Sequence, residues 1–156
     1  VGVLGTKGTV QSGSYILEIE KFFPSISVSQ EACPMWVPLV ENKEYETAGA
    51  DYFVQQHIDR ILGRDTEIDT LLLGCTHYPL LREKIKQFVP ATVQVIEQGA
   101  IVAQSLKNYL ERHPEIEQQC SKASSRAFFT TGDCSDFDEQ GAHFFGENVN
   151  SIHLQL

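Results

Sequence analysis

The side chains best suited to chemistry in this sequence stand together at Cys75, Thr76 and His77. A thiol, a hydroxyl and an imidazole in consecutive positions can supply a nucleophile or base, a hydrogen-bond donor and a proton acceptor. The short apolar run Thr70–Leu73 precedes them and predicts a strand buried on both faces. Pro79, followed by apolar residues at helical spacing, predicts that a helix begins just after them.

A turn from a buried parallel strand into a helix lies at the carboxyl edge of the sheet, where open α/β folds bind ligands. The start of a helix also favours an anion such as a thiolate. Two interpretations of Cys75 remain open. It is either a thiol at a ligand site or a small buried apolar side chain, which is the commonest environment of a free cysteine. His77 is correspondingly either part of a site or a residue bonded to the backbone at the start of the helix.

A second turn of this kind, residues 5–9, follows a strand predicted over residues 1–4. Its glycines are not spaced as in GxGxxG and no GK[ST] follows them, which argues against a dinucleotide or P-loop site. The hydroxyl of Thr6 or Thr9 could bind a carboxylate. Threonine is a common helix N-cap, and we therefore expect capping here.

Glu41 ends an apolar stretch, residues 31–41, that contains Pro34 and Pro38. Two closely spaced prolines predict an apolar loop, since neither is tolerated inside a regular helix. Glu41 is either a solvated surface carboxylate or a group directed into a cleft, and its residue type favours the surface. His57 lies near the apolar stripe of a predicted helix and is expected to be a packed structural side chain.

Strand and helix patterns alternate along the chain, which predicts an α/β fold with a parallel sheet flanked by helices. A polar segment, residues 115–125, is expected to be a loop. The predicted strands cover residues 1–4, 25–29, 70–73, 92–96, 126–131 and 151–156, and the predicted helices lie over residues 15–23, 50–62, 79–89, 99–113 and 137–145.

The composition narrows the classes of protein that remain. A chain of 156 residues fits one domain or two small lobes, and its net charge of −9 argues against binding nucleic acid. Its four cysteines form no CxxC pair, which favours a reduced, cytoplasmic compartment. No signal peptide or apolar run of membrane-spanning length is present in these residues. Because the chain opens with Val1 inside a predicted strand, we expect it to be cut from a longer one.

Five segments in order resemble glutamate racemases of the Asp/Glu racemase family, and together they extend over nearly the whole chain. LGCTHYPLL at residues 73–81 resembles the second catalytic-cysteine motif of that family. His77 stands where related aspartate racemases tend to carry an acidic residue, which favours glutamate. The other segments are VLGTKGTVQS at residues 3–12, ACPMWVPLVE at 32–41, IEQGA at 96–100 and FFTTGD at 128–133.

The resemblance implies a cofactor-independent, metal-free isomerase that interconverts L- and D-glutamate by two bases, for peptidoglycan synthesis and cell shape, as a homodimer. It implies that Cys75 is the base for L-glutamate and the acid in the reverse direction. It further implies that Thr76 and His77 contact the substrate or tune Cys75, that Thr6 or Thr9 holds a substrate carboxylate, and that Glu41 assists near His77.

The chain departs from the family in lacking its first catalytic cysteine and its Asp-Ser-Gly motif, while Cys33 matches a different family position. We therefore expect a fragment of a two-lobe enzyme that is inactive alone. Residues 1–95 are expected to form the lobe that carries the second catalytic cysteine, and residues 96–156 to complete the other lobe. Two alternatives are a non-catalytic carboxylate- or amino-acid-binding module on the same lobe, and a cysteine hydrolase.

Overall fold

A four-stranded parallel sheet carries the first part of the chain in the computed structural model, which describes residues 1–122 and 124–156. The strands are β1 (Gly2–Gly5), β2 (Ser29–Ala32), β3 (Thr70–Leu73) and β4 (Gln94–Ile96), in the spatial order β2-β1-β3-β4. From β1 the chain passes to β2 on one side and then crosses to β3 on the other. The direction of winding therefore reverses between β1 and β3, which defines the switch point of the sheet.

The predicted α/β architecture, a parallel sheet flanked by helices, is confirmed. This sheet belongs to the first of two compact units, Val1–Ser105 and Leu106–Leu156. The helices of the first unit are α1 (Lys7–Ser12), α2 (Ser14–Phe22), α3 (Trp36–Glu41), α4 (Ala48–Arg64), α5 (Arg82–Phe88) and the first part of α6 (Gln98–Arg112).

Apolar side chains of the strands pack against α3, α4 and α5 to form the core of this unit. Each large side chain that is fully buried contributes about 1.5–3 kcal/mol relative to an exposed one. The fully buried members include Leu4, Trp36, Val54, Ile58, Ile61, Leu71, Tyr78, Leu81 and Ile85.

One charged cluster lies within this core, at Glu31 of β2. Glu31 is 7% exposed and His57 of α4 is 4% exposed, and Glu31 Oε1 lies 2.8 Å from His57 Nδ1. Arg64 donates to Glu31 Oε2 at 2.8 Å, and the His57 ring stands edge-on to Trp36 with centroids 6.0 Å apart. The prediction that His57 is a packed structural side chain is confirmed, and its buried partner satisfies it.

The second unit contains two parallel strands, β5 (Phe128–Thr130) and β6 (Ser151–His153). Its helices are α7 (Pro114–Glu117) and α8 (Cys134–Phe145). Asp133 caps α8 by accepting a hydrogen bond from the Asp136 N–H at 3.0 Å, and the Phe128 and Phe145 rings meet edge-on at 5.5 Å. Capping and ring packing thus fix α8 beside the pair of strands.

The two longest helices, α4 and α6, are both amphipathic. α4 buries Val54, Ile58 and Ile61, whereas α6 leaves Ile101 and Val102 largely exposed. Over residues 1–122 and 124–156, no helix combines the length and the apolar character that crossing a membrane requires.

Two local predictions are wrong in the segment that leads to Glu41. The strand predicted over residues 25–29 lies instead at Ser29–Ala32, because the parallel register pairs Gly2 with Ser29 and Gly5 with Ala32. The apolar loop predicted over residues 31–41 contains α3. Pro38 is accommodated because it is the third residue of that helix, where the backbone N–H has no acceptor within the helix.

Two further segments differ in detail from their prediction. The helix predicted from Pro79 starts as a 3₁₀ turn, Tyr78–Leu81, and becomes α-helical only at Arg82. The α-helical N-terminus expected beneath Cys75 is therefore displaced by one turn. The loop predicted over residues 115–125 begins within α7, and it includes residue 123, which lies outside the described residues.

We expect Glu31→Ala to destabilise the protein by about 3 kcal/mol, because it leaves His57 buried without its anionic partner and removes an acceptor from Arg64. Urea unfolding at neutral pH measures the change. Glu18→Ala, which removes an exposed carboxylate 3.8 Å from Lys21, serves as the control and should change little. Equal midpoints for the two variants would contradict a structural role for the Glu31 cluster.

Candidate active site

Two loops meet at the carboxyl edge of the sheet, on either side of the switch point. One follows β1 and contains Thr6, and the other follows β3 and contains Cys75. The pairing of the two strands continues into the second loop, because the Gly74 N–H donates to the Leu4 carbonyl at 2.8 Å. A Cβ at position 74 would lie 3.1 Å from that carbonyl oxygen and 3.2 Å from the Tyr15 ring, so glycine allows this close approach.

Cys75, His77 and Glu41 form a chain of contacts at this edge. Cys75 Sγ lies 3.8 Å from His77 Nδ1, and His77 Nε2 lies 3.3 Å from Glu41 Oε1. Thr76 Oγ1 lies 3.4 Å from the same Nδ1 atom. Cys75 is partly exposed, and the side chains of His77 and Glu41 are 25% and 50% exposed. The structure thus brings together four of the predicted site residues, namely Cys75, Thr76, His77 and Glu41. Glu41 is also on the surface, as its residue type predicted.

This arrangement can move a proton. In the ring tautomer that carries its proton on Nε2, His77 donates to the Glu41 carboxylate, and Nδ1 is then the acceptor on the other side of the ring. That nitrogen faces the Cys75 thiol and the Thr76 hydroxyl. The tautomer follows from the hydrogen-bond network, and it allows His77 to take the thiol proton and leave a thiolate at the sheet edge.

Thr6 and Thr9 lie in the neighbouring loop and bond to each other. The Thr6 side chain caps α1 by accepting from the Thr9 N–H at 3.2 Å, and the two hydroxyl oxygens are 2.9 Å apart. The expectation of helix capping is confirmed. A role for either hydroxyl in holding a substrate carboxylate stays a prediction.

A cleft of about 490 Å³ opens beside Cys75, within the first unit. The Gln98 side-chain amide donates to the Tyr15 hydroxyl and lies 3.5 Å from the Leu73 carbonyl oxygen. The polar side chains lining the cleft are Tyr15, Cys75, Thr76 and Gln98, and its apolar ones are Leu73, Pro79, Val102 and Ala103. Sequence reasoning did not identify Tyr15 or Gln98 as lining residues, because only packing brings α2 and the start of α6 to this edge.

Cys33 is the buried counterpart of Cys75. Burial of the thiol, together with the nearby charge of Glu31, raises the pKa of Cys33 far above its ordinary value. Burial likewise raises the pKa of Tyr78, whose hydroxyl donates to the Cys33 carbonyl at 3.1 Å. Both groups therefore stay protonated in the folded protein, and the Cys33 thiol is unsuited to act as a base.

The described residues offer no group of three or more His, Cys, Asp or Glu side chains arranged to hold a metal ion.

Comparison with known proteins gives consistent results in sequence and structure. The chain is 35% identical to glutamate racemase 2 of Caldanaerobacter subterraneus subsp. tengcongensis and 37% identical to the glutamate racemase of Bacillus cereus, in each case over 99% of this chain. It spans 57% and 58% of the length of these two relatives. No protein-family model matches the chain.

Two solved structures show the same relationship. Glutamate racemase isoform RacE1 from Bacillus anthracis superposes with a TM-score of 0.85 at 31% identity, over 99% of this chain and 57% of its own. The glutamate racemase from Francisella tularensis, solved in complex with D-glutamate, gives 0.82 at 25% identity, over 99% of this chain and 56% of its own. Over nearly its whole length the chain is thus similar to part of a glutamate racemase in sequence and in fold.

We expect iodoacetamide at neutral pH to alkylate Cys75 well ahead of Cys33, Cys120 and Cys134, because Cys75 is partly exposed and has an imidazole nitrogen 3.8 Å from its sulfur. Peptide mass spectrometry over a time course measures the four rates. His77→Gln should slow Cys75 to the rate of the exposed Cys120. Equal, slow labelling of Cys75 and Cys120 in the unmodified sequence would contradict an activated thiol.

We expect the free energy of unfolding to fall as pH rises above about 8.5, the ordinary thiol pKa. The unfolded chain then loses the Cys33 proton while the folded protein keeps it, so stability present below this pH is lost by about 1.4 kcal/mol per pH unit. Urea unfolding between about pH 8.5 and pH 10 measures the slope. Cys33→Ala should flatten it and Cys120→Ala should not; an unchanged slope in Cys33→Ala would contradict the assignment.

Proposed function

We propose that these residues carry one of the two acid–base centres of a glutamate racemase, with Cys75 as the base that removes the α-proton of L-glutamate. The Cys75–His77–Glu41 contacts at the switch point are the observation that carries the proposal. The relatives named above support glutamate as the substrate, and one of them was solved with D-glutamate.

The proposed reaction begins with transfer of the Cys75 proton to His77 Nδ1, while Glu41 accepts the Nε2–H. The thiolate then takes the α-proton, so that an S–H bond forms as the C–H bond breaks. The electron pair left on the α-carbon is delocalised into the adjacent carboxylate of the substrate. Hydrogen-bond donors at the edge, including the Thr76 hydroxyl, stabilise this negative charge. In the reverse direction the Cys75 thiol returns the proton.

Inversion of configuration requires a second group that delivers a proton to the opposite face of the α-carbon. Cys33 does not fit this role, because its thiol is buried away from the substrate and burial raises its pKa, which makes it a poor proton donor. We propose that the second group lies outside these 156 residues, as the resemblance implies, and that this polypeptide alone does not interconvert the two enantiomers.

The proposal also includes the cofactor requirement, the biological role, the cellular location and the assembly of the enzyme. As the resemblance implies, the proposed reaction uses no cofactor or metal. Supply of D-glutamate for peptidoglycan, a cytoplasmic location and assembly as a homodimer follow from the resemblance and stay predictions. The assignment of residues 1–95 and 96–156 to two different lobes of a longer enzyme is likewise a proposal.

The test joins these 156 residues to the part of the Bacillus cereus glutamate racemase that they do not cover. We expect the chimera to produce D-glutamate from L-glutamate, and Cys75→Ala to lower that rate by about 10³-fold or more, because one of two essential bases is lost. Chiral chromatography measures the product, and ¹H NMR in D₂O measures exchange of the α-proton.

Cys120→Ala, which removes an exposed thiol of the second unit, is the matched control and should keep the activity. Two results would contradict the proposal: D-glutamate formed by the 156-residue polypeptide alone at a rate lost in Cys75→Ala, or a chimera whose activity survives Cys75→Ala. A chimera that binds glutamate without exchanging its α-proton would favour the carboxylate-binding module instead.

A further inference from the structure

A buried hydroxyl lies directly beneath the site and has no part in the proton transfers described so far. Tyr78 follows His77 in the chain and is fully buried. Its hydroxyl donates to the Cys33 carbonyl at 3.1 Å, across 45 positions of sequence. A buried hydrogen bond of this span ties together two segments that the backbone alone does not hold in place.

The two segments are those that carry His77 and Glu41. Tyr78 opens the 3₁₀ turn immediately after His77. Cys33 lies at the entry to α3, where its carbonyl also accepts the Trp36 N–H at 3.2 Å, and α3 ends at Glu41. A shift of the Cys33 carbonyl relative to Tyr78 would therefore move α3 relative to the turn, and with it the Glu41 carboxylate relative to His77.

The contact between His77 and Glu41 is sensitive to such a shift. Their atoms are 3.3 Å apart, near the upper limit of a hydrogen bond, so a displacement of less than 1 Å would break the contact. α3 has only six residues, and a helix this short does not hold its orientation without tertiary contacts.

The hydroxyl can be separated from the rest of the packing around Tyr78. The Tyr78 and Trp36 rings meet edge-on at 4.9 Å, and the Trp36 indole N–H donates to the Phe53 carbonyl at 3.3 Å. A phenylalanine at position 78 keeps the ring contact. The Cys33 carbonyl also keeps the Trp36 N–H as a partner, so removing the hydroxyl leaves no buried acceptor unsatisfied.

We propose that the Tyr78 hydroxyl is a positioning group that sets the approach of Glu41 to His77, and through His77 the ability of Cys75 to give up its proton. Tyr78 touches no reacting atom and acts through the Cys33 carbonyl and α3. The inference deepens the proposed function, on which its meaning for catalysis rests, but its effect on the Cys75 thiol does not require glutamate turnover.

The test measures the pH dependence of Cys75 alkylation by iodoacetamide in the 156-residue polypeptide. We expect Tyr78→Phe to slow labelling at neutral pH by about 3- to 10-fold and to move the rate profile to higher pH, as Glu41→Gln does. The double variant that carries both Tyr78→Phe and Glu41→Gln should be labelled no more slowly than Glu41→Gln alone, because the contact through which Tyr78 acts is already absent.

Tyr52→Phe is the matched control, because it removes an exposed tyrosine hydroxyl that accepts a hydrogen bond from the Gln56 side chain at 3.2 Å. This control should leave the Cys75 profile unchanged. Labelling of the exposed Cys120 in each variant reports any change in reagent or solvent, and thermal unfolding monitored by circular dichroism reports whether each variant is folded.

Four results would overturn the inference. Two concern the single variants: the Tyr78→Phe profile could equal that of the unmodified sequence, or Cys75 in Glu41→Gln could be labelled at the normal rate. The other two are a Tyr78→Phe effect that adds in full to that of Glu41→Gln, and a Tyr78→Phe chain that does not fold. The last would show that the hydroxyl serves stability rather than position. If both variants slow labelling without additivity while the chimera forms no D-glutamate, the positioning role stands and the proposed function fails.

Discussion

The parallel pairing of β1 with β3 is the constraint on which the candidate site depends. The hydrogen bond from the Gly74 N–H to the Leu4 carbonyl extends this pairing one residue beyond β3, and the absence of a Cβ at Gly74 makes the approach sterically feasible. Because the chain leaves β1 and β3 in opposite directions around the sheet, their two following loops open a crevice instead of being covered by a crossover. The thiol of Cys75 reaches solvent at this edge for that reason, although Leu71 and Leu73 of the strand before it are buried.

The contacts around the site divide into a buried layer and an exposed one. In the buried layer Glu31 is paired with His57, and the Tyr78 hydroxyl donates to the Cys33 carbonyl. In the exposed layer the Glu41 side chain is 50% exposed, and its contact with His77 contributes little to stability because solvent screens it. Its useful effect on His77 is therefore geometric, since accepting the Nε2–H selects one tautomer and one ring orientation. An exposed carboxylate can perform that task only if the layer below holds it still.

The sequence predicts the parallel architecture because strand, turn and helix signals are local, and β3 and α4 show them clearly. It misplaces β2, whose limits depend on the residues of β1 that it pairs with, and it misses α3, because whether Pro38 is tolerated depends on where that helix begins. The same division holds in the site. Cys75 and His77 are two positions apart and stand out in the sequence, whereas the contact of His77 with Glu41 joins residues 36 positions apart and came only from the family resemblance. Tyr15 and Gln98 reach the cleft by packing, which no local pattern encodes.

The arrangement of the exposed groups also bears on how racemisation would be divided within the proposed reaction. Cys75, Thr76 and His77 follow β3 at one edge of the sheet, and Glu41, at the end of α3, contacts His77 there. In the proposed reaction these groups would therefore approach the α-carbon from one side. Adding a second thiol to that edge would not help, because inversion needs proton delivery from the opposite face, and two cysteines on one side could only exchange the α-proton with retention. Burial of Cys33 is consistent with this requirement, since it removes the other cysteine close to the site from competition for the substrate proton. A one-sided site of this kind is suited to pairing with a second surface across the substrate.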